Sequence, residues 1–364
     1  MKLSNIFIGF DIYGAGNVGD DLTLGGFLHA FPGNSRFKIS CILPKQRIGS
    51  QEKRFPQIDW LPSEDAERRR KEIIADSEYW LGVGDTPFQA TGGNYFLNKI
   101  YSDIQLIKQK KYMVGVGCEE EVLKEKNLAE EITKNIDYIW TRDEASKSIL
   151  VDRLKGDPNK ISVSGDLANI ALRNIFLNNA PKDSSKYALG LLYFSESLEG
   201  NDLHALKKFM ANFIKKKNVA FIGNETRKLS KYEYFIYKLL FWDSIIMFRK
   251  APDYYMPDYK NADLSGLVSH FNNYDVVMAS RYHAILTAAW AGCRLVALDR
   301  SSKIRFLSKE LGIPLVKKPF NESSLWDGYR NAKSVPRDLL MRMARGAEKA
   351  VLDFYNHLST NQSF

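Results

Sequence analysis

Short apolar runs recur along this chain, and their rhythm constrains the fold more than any other feature. Stretches of helical or loop length separate most of them. Alternation of this kind is typical of a parallel α/β sheet, because each buried strand needs a crossover before the next one. The first series comprises Leu3–Phe10, Phe37–Leu43, Tyr79–Val83, Tyr112–Val116, Tyr138–Thr141 and Ile161–Val163.

A turn-forming stretch, Arg173–Lys186, follows this series and has the composition of an interdomain linker. A second series then runs through Tyr187–Tyr193, Val219–Ile222, Val276–Ser280 and Leu295–Leu298. With 364 residues and 45% hydrophobic content, the chain can bury two cores. We therefore predict an N-terminal α/β domain over residues 1–175 and a second α/β domain over residues 187–332.

The remaining residues, 333–364, are predicted to form a C-terminal helix and tail. Apolar residues recur at helical spacing across Arg337–His357. In a two-domain fold of this kind, such a helix could cross back onto the first domain.

Charge, cysteine content and the N-terminal sequence indicate which ligands, metal sites and cellular locations are expected for this chain. A net charge of +9 attracts phosphorylated metabolites, nucleic acid or anionic lipid, although a solvated basic surface explains it equally well. Nucleic-acid binding is disfavoured because no recognised module or basic stripe accompanies the charge. Cys41, Cys118 and Cys293 are widely spaced, which indicates reduced thiols and no zinc site. The apolar run before Asp11 is too short for a signal peptide, which predicts a cytoplasmic protein.

A glycine-rich loop, Gly14–Gly19, follows the first predicted strand and matches the GxGxxG pattern of dinucleotide sites. NAD is excluded, because Asp20 and Asp21 would repel a pyrophosphate and no acid for the ribose follows before Glu52. NADP bound through Lys45 and Arg47 remains a weaker alternative. The two aspartates either cap the helix or, together with Asn17, bind the hydroxyls of an acceptor sugar.

A second helix start follows the predicted strand at Val276–Ser280. Ser280 is predicted as the N-cap of a helix over Arg281–Ala291 that Gly292 ends. Arg281 would then be the first helical residue and His283 the third, beside backbone N–H groups that favour an anion. An arginine can grip a carboxylate or phosphate, and a histidine can supply a proton near neutral pH.

Two further cations, Lys303 and Arg305, follow the next strand and should lie at the same sheet edge. Together these residues predict an anion pocket. The alternative is a structural histidine at a strand-helix corner and an arginine in a surface salt bridge.

Several segments, taken in order, resemble motifs of the polysaccharide pyruvyl transferase family, over roughly residues 14 to 305. They are Gly16-Asn17-Val18-Gly19-Asp20, similar to GNxGD; Thr141–Ser146, similar to RD-x-x-S; Gly165–Ala168, similar to a GDPA turn; Arg281-Tyr282-His283, similar to RxH; and Ala288–Gly292 with Lys303, similar to AxxxG and a later lysine. The chain departs from the family at Leu167, where proline is usual. It departs again at Gly82–Thr86, in place of a glycine triplet before the loop of Gln89 and Thr91.

The resemblance implies two Rossmann-like domains facing a cleft, as in GT-B enzymes, with the acceptor on the N-terminal and the donor on the C-terminal side. It implies transfer of a pyruvyl group from phosphoenolpyruvate to two sugar hydroxyls, which forms a ketal and releases phosphate. His283 would be the general acid, and Ser280, Arg281, Lys303 and Arg305 would bind the donor. Neither a metal nor a resident cofactor is required. Exopolysaccharide or capsule synthesis at the bacterial cell surface would be the setting.

Residues 231–250 combine aromatic side chains with flanking cations. Their internal charges exclude a transmembrane span, so the segment is either a buried helix or one lying on a membrane. In the second case the acceptor would be a lipid-linked saccharide. Competing functions are a GT-B glycosyltransferase with a nucleotide-sugar donor and a non-catalytic, membrane-associated factor of polysaccharide assembly.

Overall fold

The computed structural model describes residues 4–32, 36–66, 69–89, 95–107, 110–177, 186–192, 200–214, 217–223 and 253–360. The chain divides into two compact units. The first comprises Met1–Ala15, Asp20–Asn174 and Met341–Phe364, and the second comprises Gly16–Gly19 and Ile175–Leu340. The predicted membrane-contact segment, residues 231–250, lies outside the described residues.

A seven-stranded parallel sheet forms the centre of the first unit. Its strands are β1 Ser4–Ile8, β2 Phe37–Leu43, β3 Ile58–Pro62, β4 Tyr79–Val83, β5 Lys110–Val116, β6 Tyr138–Thr141 and β7 Ile161–Val163. Their order across the sheet is β3-β2-β1-β4-β5-β6-β7. The helices along this part of the chain are α1 Val18–Ala30, α2 Lys45–Arg54, α3 Ser63–Ala66, α4 Arg70–Ala75, α5 Tyr95–Leu106, α6 Lys126–Asn135, α7 Glu144–Ser148 and α8 Ala168–Leu177.

Strands at the middle of this sheet are apolar because helices cover both of its faces. Every residue of β4 is buried. Gly9, directly after β1, and Gly82, within β4, make room for large rings. A Cβ atom at Gly9 would lie 2.2 Å from the Trp80 ring, and one at Gly82 would lie 2.5 Å from the Phe10 ring.

A six-stranded parallel sheet forms the centre of the second unit. Its strands are β8 Tyr187–Leu192, β9 Val219–Ile222, β10 Asp253–Tyr255, β11 Tyr274–Ala279, β12 Arg294–Leu298 and β13 Leu315–Val316, in the order β10-β9-β8-β11-β12-β13. The helices are α9 Gly200–Ile214, α10 Leu264–Val268, α11 Tyr282–Trp290, α12 Ser302–Leu311, α13 Glu322–Arg330 and α14 Arg337–Thr360. On one face, Phe209 and Phe213 pack against Trp326 with ring centroids 4.8 and 5.6 Å apart.

The last helix, α14, begins in the second unit, and its residues from Met341 onward belong to the first. Phe354 is fully buried, with its ring centroid 6.0 Å from that of Phe27 and 5.4 Å from that of Tyr112. Arg173 of α8 forms an ion pair with Glu348. The predicted return of this helix to the first part of the chain is thus observed.

The two parallel sheets confirm the predicted fold class, since both have the strand order of Rossmann-like domains. All ten predicted apolar runs form strands. Three strands, β3, β10 and β13, were not predicted, and each lies at the edge of its sheet. Edge strands bury less surface, so their sequences are less uniformly apolar. Part of the predicted linker was also wrong, because Arg173–Leu177 continues helix α8.

All three cysteines are buried, and none of them forms a disulfide. Within the described ranges, no helix is long and apolar enough to cross a membrane.

A candidate active site at the carboxyl edge of the second sheet

The strand order of the second sheet marks a ligand-binding position at its carboxyl edge. The order reverses between β8 and β11, which are direct neighbours, with Leu192 paired to Ala279. In open parallel sheets, ligands bind outside the carboxyl ends of the strands at such a switch point. The residues that leave β11 here are Ser280 and the motif Arg281-Tyr282-His283.

Ser280 follows Ala279, the last residue of β11, and precedes Arg281, the N-cap residue of the helix. It is fully buried, and its backbone N–H donates to the Leu192 carbonyl oxygen at 3.0 Å. Because this bond holds Ser280 beside the end of β8, α11 begins one position later than predicted. Arg281, in an extended conformation (φ −110°, ψ 133°), is the N-cap residue and makes no side-chain capping bond. The predicted N-cap at Ser280 was therefore wrong, and His283 is the second helical residue.

The motif remains in the first turn of the helix after this correction. The Arg281 carbonyl oxygen accepts from the Ile285 N–H at 3.1 Å, and the His283 carbonyl oxygen accepts from the Thr287 hydroxyl at 2.7 Å. Both bonds hold the helix start in place. Arg281 and His283 are each partly exposed, whereas Tyr282 between them is buried. Both side chains keep some exposed surface, although Nε and Nη2 of Arg281 are buried.

The predicted cations that follow β12 lie at the same edge, because β11 and β12 pair in parallel with Ala279 opposite Ala297. Lys303 is the second residue of α12 and is partly buried. Arg305 is half-exposed, and its guanidinium donates to the Asp299 carboxylate at 3.0 Å. The charge of Arg305 is therefore balanced by Asp299.

The glycine loop contributes to this site through its last residues, Gly16–Gly19, which belong to the second unit. Asn17 precedes α1, and its side-chain oxygen accepts from the Gly19 N–H at 3.2 Å, as in an N-cap. Asn17 thus caps the helix. A Cβ atom built on Gly19 would lie 1.9 Å from Nδ1 of His283 and 2.5 Å from its Cγ. The imidazole therefore packs directly on the bare Cα of Gly19.

Asp21, predicted to contact an acceptor, lies inside the first unit and has no exposed surface. Its carboxylate accepts from the Arg54 guanidinium at 3.0 Å, the Gln51 amide at 3.2 Å and the Gly14 N–H at 3.3 Å. These bonds fix the glycine loop, in which Gly14 has φ +69° and Gly16 has φ +92°. A sugar hydroxyl would have to displace donors already in place.

Asp20 is also buried, with 3% of its surface exposed. Its backbone carbonyl accepts from the Thr23 hydroxyl at 2.8 Å. Nearby, Tyr13 donates its hydroxyl to the Val83 carbonyl at 2.8 Å. Burial raises the pKa of Tyr13, and the charges of Cys41, Asp20, Asp85 and Asp21 add to this rise. A neutral phenol thus ties the loop to strand β4.

The segment Arg142-Asp143-Glu144-Ala145-Ser146 builds a corner in the first unit. Asp143 caps α7 by accepting from the Ser146 N–H at 2.7 Å, and the Ser146 hydroxyl accepts from the Cys118 N–H at 2.9 Å. Arg142 is buried over Gly117, where a Cβ atom would lie 2.5 Å from its Cζ. The residue types of this motif are therefore explained by local structure.

The turn Gly165–Ala168 is likewise structural. Gly165 has φ +106°, and Asp166 accepts from the Ala168 N–H at 2.9 Å. Leu167 is fully buried over Gly115, where a Cβ atom would lie 2.5 Å from its Cγ. The absent side chain at residue 115 provides the space that leucine needs in place of proline.

Comparison with known sequences identifies one matching family, described as polysaccharide pyruvyl transferase, over residues 17–302. No curated protein matches by sequence. The family match spans the glycine loop, the Arg281-Tyr282-His283 corner and Ser302, the residue before Lys303.

Solved structures with a similar fold include enzymes of sugar-nucleotide metabolism. The Neisseria meningitidis UDP-GlcNAc 2-epimerase bound to UDP-GlcNAc is 9% identical, with a TM-score of 0.68, covering 99% of this chain and 100% of its own. Staphylococcus aureus MnaA with UDP is 9% identical, with a TM-score of 0.66 and coverages of 99% and 97%. Anabaena Alr3699/HepE with UDP and glucose is 12% identical, with a TM-score of 0.60 and full coverage of both chains. These similarities show the GT-B fold that was predicted.

Proposed function

We propose that this chain, which belongs to the polysaccharide pyruvyl transferase family, transfers a pyruvyl group from phosphoenolpyruvate to two hydroxyls of a sugar. One observation carries the proposal. A guanidinium and an imidazole leave the first turn of α11 at the switch point of a parallel sheet, with Lys303 in the first turn of α12 after the adjacent strand. Helix N-termini and cations favour an anionic donor, and the imidazole can deliver a proton.

In the proposed reaction, Arg281 and Lys303 hold the donor carboxylate and phosphate. His283 protonates the enol carbon C3, which becomes the methyl group, and positive charge develops at C2. A sugar hydroxyl attacks C2, and its proton is lost to solvent. The C2–O bond to phosphate then breaks and phosphate leaves, and the second hydroxyl attacks C2, loses its proton to solvent and closes the ketal. General acid catalysis by a positioned group contributes typically about 10²–10⁴-fold.

The acceptor is proposed to be a sugar of a polysaccharide or a lipid-linked precursor at the cytoplasmic face of the membrane. The family supports a polysaccharide acceptor, and Asn17 of the glycine loop lies in the same unit as the proposed acid. Peripheral membrane contact through residues 231–250 is part of the proposal, and their aromatic and cationic composition supports it. Flotation with anionic liposomes tests this contact, and binding that survives charge reversal in the segment would contradict it.

Phosphate release from phosphoenolpyruvate, measured across galactose, glucose and N-acetylmannosamine acceptors, tests the reaction itself. His283→Ala should lower turnover by about 10²-fold or more, while phosphoenolpyruvate still raises the melting temperature by binding the folded state. The exposed His204 of α9 provides the matched control, and His204→Ala should turn over as the wild type does. Wild-type turnover in His283→Ala would remove His283 from the mechanism.

A nucleotide-sugar enzyme is the second candidate, because Staphylococcus aureus MnaA and Anabaena Alr3699/HepE share the fold and were solved with UDP. The two functions predict different stabilising ligands. Under the proposed function, phosphoenolpyruvate raises the melting temperature and UDP-sugars do not. The reverse result would favour the second candidate.

A further inference from the structure

Gly19 and His283 contact each other with no side chain between them. The three atoms closest to a Cβ built on Gly19 are Nδ1, Cγ and Cε1 of His283, at 1.9, 2.5 and 2.8 Å. These atoms form one edge of the imidazole ring. Nε2 and Cδ2 form the other edge, which is farther from Gly19. The glycine thus determines which ring nitrogen lies against the backbone of the loop.

We propose that Gly19 is a positioning residue, which seats the Nδ1 edge of His283 and turns Nε2 toward the donor. This inference rests on the proposed function, in which His283 is the acid, and it assigns the proton transfer to Nε2. The proton leaves Nε2 for the enol carbon of the donor, and the N–H electron pair remains on the imidazole nitrogen. The ring is reprotonated from solvent before the next turnover.

The backbone position of Gly19 is fixed by the loop before it. The Gly19 N–H donates to the Asn17 side chain at 3.2 Å, and Gly16, three residues earlier, adopts φ +92°. The backbone at Gly19 itself is helical, at the second position of α1, where alanine is a favourable residue. A loss of function in Gly19→Ala would therefore come from the added methyl group and not from backbone strain.

The size of the effect follows from the contact distance. A carbon atom needs about 3.5 Å from its neighbour, so the imidazole would have to move by roughly 1.5 Å to admit an alanine methyl. A misplacement of about 1 Å can cost about 10²-fold in rate. Gly19→Ala should lower kcat by about 10²-fold, while phosphoenolpyruvate still raises the melting temperature.

Gly49 provides the matched control, because it lies on the exposed surface of α2 and a Cβ atom there has nothing within 4 Å. Gly49→Ala should keep the wild-type kcat. The double variant Gly19→Ala/His283→Ala should be no slower than His283→Ala alone, because the methyl group acts only through the ring. Additive losses would indicate a general structural effect and would overturn the proposal.

A measurement without turnover separates this inference from the proposed function. The ¹⁵N–¹H correlations of the His283 ring, assigned by their loss in His283→Ala, should shift in Gly19→Ala and not in Gly49→Ala. If the wild type releases no phosphate but the ring signals shift, the proposed function fails and the seating of the ring stands. Unchanged ring signals and unchanged kcat in Gly19→Ala would overturn the inference even if wild-type turnover is confirmed.

Discussion

Replacing Asp21 with asparagine should destabilise the first unit strongly. The ion pair between Asp21 and Arg54 is closed to solvent, with 0% and 1% of the two side chains exposed. Removing one partner of a buried pair leaves a charge without compensation and costs about 3–5 kcal/mol. Because about 1.4 kcal/mol corresponds to a tenfold change in an equilibrium constant, the folded-to-unfolded ratio should fall by a factor of roughly 10² to 4 × 10³.

Urea unfolding, followed by tryptophan fluorescence, provides the assay; of the six tryptophans, Trp60, Trp80 and Trp140 lie in the first unit. The exposed pair between Lys38 and Asp59, with 55% and 42% of the side chains exposed, is the matched control. Asp59→Asn should cost less than about 1 kcal/mol, since solvent screens exposed pairs. A loss below about 1 kcal/mol in Asp21→Asn would refute a bracing role for the carboxylate.

A double variant sharpens the test. In Asp21→Asn/Arg54→Met no buried charge is left unpaired, so its loss should be smaller than that of Asp21→Asn alone. If Asp21 instead acts by binding the acceptor, Asp21→Asn would raise KM for the sugar without lowering the unfolding midpoint.

Two further outcomes are expected. Burial lowers the pKa of His270 from 6.5 to about 3. The unfolded state then binds the extra proton between these values, so stability falls as the pH drops from about 6.5 toward 3, by at most about 1.4 kcal/mol per pH unit. Melting at pH 7 and pH 5 should show a shallower fall for His270→Phe, and an unchanged slope would contradict this. Phe354→Ala should cost about 3–5 kcal/mol in urea unfolding, whereas Leu352→Ala, at a 47% exposed position of the same helix, should cost under about 0.5 kcal/mol.

The central strands of both sheets could be predicted from the sequence because burial on two faces demands continuous apolar runs. Tyr79–Val83 is an example, in which every residue is buried. The edge strand Ile58–Pro62 could not be predicted in this way, since three of its five positions are only partly buried and the strand carries no such run. Its conformation depends on pairing with β2, and the local sequence of a strand does not show which strand it pairs with.

In the candidate site, too, local features could be predicted from the sequence and long-range contacts could not. The strand-helix corner at Arg281 was visible as an apolar strand followed by helical spacing, and the error of one residue reflects the backbone hydrogen bond of Ser280 to Leu192. The contact between Gly19 and His283 spans most of the chain, and no periodicity reports it. The residue that could have signalled it is Gly19, the third glycine of the loop motif. The role of Arg54 beneath Asp21 left no signal at all.

The division of the chain between the two units has a consequence for its synthesis. The first unit is completed by Met341–Phe364, which follow the whole of Ile175–Leu340. At about 5–20 residues per second, a ribosome needs on the order of 10–30 s to make the intervening segment. During that interval the binding place of Phe354 beside Phe27 and Tyr112 stays open. The second unit can therefore fold before the first is finished, and a nascent chain released early would expose an aromatic surface to chaperones or to aggregation.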